Sequence, residues 1–164
     1  MITTGNLAIP LLLMLLACYV ELFALQRWRG IDIEWHDTVF NLNSGHVILW
    51  VCRGFELIGY MWVLQHASVH WVTHLPLVVQ WSFGFVVWDF CFYWMHRLHH
   101  HIPILWCIHG MHHEGAHFNL SLGIRNSWYS SLSNFPFIVG LAVLGLPVEI
   151  FVVVSSIHYT VQFY

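Results

Sequence analysis

Residues 75–95, LPLVVQWSFGFVVWDFCFYWM, contain a single charged side chain, Asp89. A run of about 20 mostly apolar residues is long enough to cross a bilayer as a helix. Comparable runs cover Leu7–Leu25, broken only by Glu21, and Val47–Leu64. Two shorter ones, Trp128–Leu144 and Pro147–Tyr164, flank Gly145-Leu146-Pro147. Gly closes a helix well and Pro is tolerated at the first position of the next, so this pair is expected to form a helical hairpin. Only 8% of the 164 residues are Asp, Glu, Lys or Arg, against roughly 25% in soluble domains. So few charges cannot cover a water-facing surface. The expected fold is all-α: one multi-pass, integral membrane helical bundle spanning 1–164.

The remaining charges refine this picture. The formal net charge is −3 and there is no lysine, so nucleic acid is not an expected partner. Arg53 and Glu56 lie three apart and can pair inside a bundle. The most polar stretch, QRWRGIDIEWHDTVFNLNSG (26–45), is expected to be an interfacial loop. Arg27 and Arg29 place the end of the first span on the cytoplasmic side. Counting crossings from there puts Arg97, Arg125 and the chain around them on the same side. Cys18, Cys52, Cys91 and Cys107 are scattered through apolar sequence with no CxxC pair, which points to free thiols.

The third span runs into HRLHHHIPILWCIHGMHH (96–113), which holds seven of the fourteen histidines. His96 and His100 are one helical turn apart on one face, and His109, His112 and His113 repeat that arrangement at i, i+3 and i+4. Two such helices facing each other would offer five nitrogens to one region, and imidazole suits Fe, Zn, Cu and Ni. His99, at i+3 from His96, is the alternative to His100. Isolated histidines such as His36, His46, His66, His70 and His74 are expected to be ordinary packed or hydrogen-bonded residues. Asp89, two turns before His96, could orient a ligand through its second N–H, or pair with Arg97 or Arg53. Trp88, Phe92, Tyr93 and Trp94 could line a lipid path, although aromatics at helical spacing are commonly core or interface residues.

The segments DFCFYWMHRLHH (89–100), HGMHH (109–113) and FNLSLGIRNSW (118–128) together resemble the fatty acid hydroxylase/sterol desaturase superfamily. HDTVFNLNSG (36–45) and the 145–164 hairpin resemble its alkylglycerol monooxygenase-like and bacterial sterol desaturase-like branch, and the likeness extends over about 21–164. The resemblance implies a non-haem di-iron oxygenase with His96, His100, His109, His112 and His113 as ligands, and Asn119 and Arg125 lining the site or facing substrate. It implies two irons, O2, a membrane lipid substrate such as a sterol, fatty acyl or alkylglycerol chain, and an electron-transfer partner or a pterin- or NAD(P)H-linked reductant. The product would be an alcohol or an alkene. Two departures stand out. Ala116 occupies a position where the branch often has glutamate, with Glu114 directly after the histidine pair instead. The superfamily's third box, a later HxxHH, does not occur by Tyr164, so the chain is expected to be a C-terminally truncated piece, inactive alone. The rival expectation is a zinc-binding or metal-transporting membrane protein without redox catalysis; a bis-histidine haem protein is a third.

Overall fold

The computed structural model describes residues 4–115 and 119–162, which leaves Ala116 and His117 outside the described residues. Every regular element among them is helical. In chain order these are α1 (Thr4–Trp28), α2 (Trp35–Val47), a π-helical turn (Ile48–Cys52), α3 (Arg53–His66), a short 3₁₀ turn (Val72–His74), α4 (Leu77–His101), α5 (Pro103–His113), α6 (Leu120–Ile124), α7 (Ser130–Leu144) and α8 (Val148–Gln162). The all-α expectation therefore holds.

The polar stretch expected to be a loop is instead largely helical, as α2. Its buried positions are Thr38, Asn41, Leu42, Ser44 and Gly45, so one face of the helix turns inward at spacings of three and four. That face is built from small polar residues, and a search for apolar periodicity does not find it. The face works because its polar groups have partners. Asn41 donates to the Ser121 hydroxyl (3.2 Å) and Ser44 to the Asn126 carbonyl. Gly45 lets α6 come close: a Cβ there would stand 3.0 Å from Ile124. α1 is tied to the same region, where the Leu120 N–H donates to the Glu21 carboxylate (2.6 Å). The one charge that interrupts the first apolar run is thus held at the start of α6.

The main core lies between α3, α4, α7 and α8. Tyr60 is fully buried, stacks on Phe151 (centroids 4.2 Å apart) and donates to the Leu146 carbonyl (2.7 Å). Trp88 meets the same Phe151 edge-on at 5.4 Å. The expected α7–α8 hairpin is present. Gly145 takes the left-handed conformation (φ 87°) after α7, and the Leu146 N–H reaches back to the Leu141 carbonyl (3.1 Å), a Schellman-type closure. Pro147 stands just before α8 and accepts from the Phe151 N–H (3.0 Å). All four cysteines are free thiols, as expected.

α4 is the one described helix that is both long and apolar enough to cross a membrane. Its apolar residues Leu77, Val78, Val86 and Phe90 are exposed, as are Phe55, Ile58 and Trp62 of α3. At 1.5 Å per residue, α4 is about 37 Å long, more than the roughly 30 Å hydrocarbon layer.

Gly145 supplies a test of the hairpin. A Cβ there would lie 2.6 Å from the His70 Cα, and a non-Gly residue in this backbone region costs of order 1–3 kcal/mol. Gly145→Val should therefore lower the thermal midpoint in detergent by several degrees, followed by circular dichroism.

Candidate metal centre

Two features of the chain bring the histidine boxes together. Pro103 has no N–H to continue α4, and a residue before proline is driven out of the helical region. Ile102 is accordingly extended (φ −99°, ψ 117°), and α5 starts afresh with Pro103 at its first position. Along one unbroken helix, His96 and His109 would be about 20 Å apart. In the folded chain their ring centroids are 4.6 Å apart.

The ligand atoms of His96, His100, His109 and His113 all lie within 4.8 Å of one another. His96 Nε2 is 3.0 Å from His100 Nε2, and His109 Nε2 is 3.2 Å from His113 Nε2. Imidazole–metal bonds are roughly 2.0–2.1 Å, so the widest-spaced nitrogens need to close by about half an ångström to share a single ion. The donor set is all nitrogen, with no thiolate among the four, which matches iron, zinc, copper or nickel. His96 and His109 are half-buried, whereas His100 and His113 are exposed. Burial, reinforced by the surrounding imidazoles, holds the His109 pKa down to about 3, and burial with His112 and His100 nearby also lowers that of His113. Neutral rings keep the lone pairs that a metal needs.

Hydrogen bonding distinguishes His99 from His100. His99 is 3% exposed; its Nδ1 donates to the Met95 carbonyl (2.7 Å) and its Nε2 meets the Ser133 hydroxyl (2.8 Å). Both of its nitrogens are engaged by the protein, while His100 joins the four-nitrogen group. His112 stands beside that group, with its ring centroid 5.7 Å from that of His109. Its Nδ1 is 3.0 Å from the Arg125 carbonyl. Asp89 is 71% exposed along its side chain, and its carboxylate lies 3.7 Å from His158 of α8. Asn119 caps α6, its side chain accepting from the Ser121 N–H (2.9 Å). Tyr93 and Trp94 hold Arg97 on the outside of α4.

A cavity of about 330 Å³ opens against the group at His96, His109 and His112. Trp88, Phe92, Met95 and Ile138 give it an apolar wall, and Arg53 and Glu56 border it too. The expected Arg53–Glu56 pair forms at 3.0 Å, with Glu56 only 5% exposed. Sequence reasoning missed Trp106, which stacks on His113 at 5.5 Å and touches His100 at 5.2 Å. Its spacing, three before His109 and seven before His113, is the signal that would have placed it on the ligand face.

A bundle of apolar helices with four imidazoles converging at the end of α4 belongs to the class of helical histidine-cluster proteins. The fatty acid hydroxylase family profile matches residues 81–164, half of the chain and every histidine of both boxes. The chain belongs to that family, on its alkylglycerol monooxygenase-like branch. It is 29% identical over 140 residues to an alkylglycerol monooxygenase of Danio rerio, covering 82% of this chain and 30% of the relative. A Xenopus tropicalis alkylglycerol monooxygenase is 25% identical over 150 residues (88% and 33%). One from Homo sapiens is 29% identical over 114 residues (68% and 25%). The chain thus spans between a quarter and a third of the length of these curated relatives. No solved structure matches.

The geometry predicts a clear split between neighbouring residues. His100→Ala should weaken Co2+ or Fe2+ binding at least tenfold in metal titrations, whereas His99→Ala should leave it within a few-fold and lower thermal stability instead. Loss of metal in His99→Ala with retention in His100→Ala would overturn this ligand assignment.

Proposed function

We propose that this chain forms the metal-binding core of a membrane lipid oxygenase, in which His96, His100, His109, His112 and His113 hold non-haem iron. The observation that carries this reading is the convergence of four imidazole nitrogens within 4.8 Å, two of whose rings, His96 and His109, line a cavity with an apolar wall. The donor chemistry fits iron, and the chain's family and relatives lie among lipid-oxidising enzymes by name. Iron bound there, two ions in the full site, would supply the oxidising power by which O2, two electrons and two protons convert a lipid C–H to C–OH and water, or a CH–CH unit to an alkene.

The chain's own residues then have separate tasks. Neutral imidazoles bind the cation without adding charge to the site. Trp88, Phe92, Met95 and Ile138 receive an acyl or alkyl chain and keep water away from it. The Arg53–Glu56 pair gives the cavity one polar border, where a lipid oxygen can hydrogen-bond. α4, with most of its apolar surface outward, lies in the bilayer alongside the shorter apolar helices, so the bundle is multi-pass. The histidine group at its end lies at the cytoplasmic face, within reach of a soluble reductant or electron-transfer partner. On this reading, residues 1–164 are part of one fatty acid hydroxylase-like membrane unit.

Oxygen consumption tests the chemistry. Membranes carrying the whole gene product should oxidise a supplied alkylglycerol, fatty acyl lipid or sterol only with O2 and a reductant, and iron chelation should abolish turnover. Bound zinc with no oxygen uptake would replace this reading with a non-redox metal holder. Cys107, an exposed thiol in α5, tests orientation. A membrane-impermeant maleimide should label it in inside-out vesicles and not in intact cells; the reverse pattern would put the histidines on the outer face.

A further inference from the structure

α5 ends at His113, and the last carbonyls of a helix have no partner within it. Residue 125 meets this end twice. Arg125 Nε donates to the Met111 carbonyl (2.9 Å), and the Arg125 carbonyl is 3.0 Å from His112 Nδ1. The same guanidinium reaches the Asn41 side-chain oxygen of α2 (3.4 Å), stands 3.6 Å from the Glu114 carboxylate and lies 5.1 Å over the Phe40 ring. Arg125 is only 12% exposed along its side chain. A buried guanidinium is costly unless its donors are satisfied, and here two of them face the end of the second histidine box, at Met111 and Glu114, and one faces Asn41 of α2.

The bond at His112 fixes the position of a proton. A carbonyl oxygen can only accept, so Nδ1 carries the hydrogen, and in the neutral ring Nε2 is then a bare lone pair. His99 shows the contrast: its Nδ1 is fixed in the same way by a carbonyl, but its Nε2 faces the Ser133 hydroxyl, which also lies 2.9 Å from the Ser130 carbonyl. His112 borders the cavity beside His109.

We propose that Arg125 is the positioning residue for His112. Its carbonyl selects the Nδ1–H tautomer, and its guanidinium, tied to Met111 and to Asn41, holds that carbonyl at hydrogen-bonding distance. Nε2 is thereby kept ready as a further donor beside the four-nitrogen group. This use of the lone pair rests on the metal reading above; the tautomer itself does not. Arg125 consequently acts from behind the ligand rather than on substrate.

The test separates the two. The chain is labelled with 15N-histidine, solubilised in detergent without metal, and the His112 signals are assigned by their loss in His112→Gln. Ring nitrogen shifts should report the Nδ1–H form in the unmodified chain, and a mixture of tautomers in Arg125→Met and Arg125→Lys with helix content unchanged. Co2+ titration of the same samples should show roughly 10–100-fold weaker binding in both variants, the range seen when a hydrogen-bond partner of a ligand is lost. Asn41→Ala removes one of the guanidinium's contacts, together with the bond to Ser121, and should shift both readouts in the same direction by less; it keeps the test sharp if Arg125→Met does not fold. An Nε2–H form in the unmodified chain, or an unaltered tautomer in all three variants, would overturn the proposal. Failure of the unmodified chain to bind Co2+, with the tautomer shift intact, would sink the metal reading and leave the Arg125–His112 clasp standing.

Discussion

Everything at the histidine site depends on the missing N–H of Pro103. A helix is stiff, and without an interruption it would carry the second box away from the first. Proline removes a donor, forces Ile102 into an extended conformation and permits a new helix at once. The chain reverses within one residue, and the ligand faces of α4 and α5 meet. α4 thus ends in a folded-over cap, and the surrounding helices hold that cap. α7 contributes Ser133 behind His99, and the segment after α6 contributes the Arg125 carbonyl behind His112.

Much of this arrangement was legible in the sequence because it depends on local periodicity. The i, i+4 spacing of His96 and His100, and of His109 and His113, determines which rings share a face, and their convergence follows once the two helices fold together. The Arg53–Glu56 pair and the 145–147 hairpin were readable for the same reason. Periodicity alone left His99 and His100 in balance. What distinguishes them in the fold is Ser133, more than thirty residues away in sequence, whose hydroxyl meets His99.

α2 escaped for a different physical reason. Its inward face consists of Thr38, Asn41, Ser44 and Gly45 around a single leucine, so its burial depends on hydrogen bonds to residues 121 and 126 rather than on apolar area. Such a helix reads as a polar loop until its partners are known. The orientation of Asp89 was equally hidden. Helical phase aligns it with His96 by count, yet its carboxylate meets His158 of α8. That neighbour comes from another helix, and spacing along α4 does not reveal it.

The four converging rings all come from eighteen consecutive residues. Bringing the ends of so short a loop together costs little chain entropy, because that cost grows only slowly with length and here starts small. Closing about ten residues takes on the order of 10–100 ns, far less than packing a whole bundle. The cluster is therefore the product of one local fold-back of the chain. A cation gripping that fold-back would staple a turn that is already short. It would add far more to local rigidity than to the stability of the bundle as a whole.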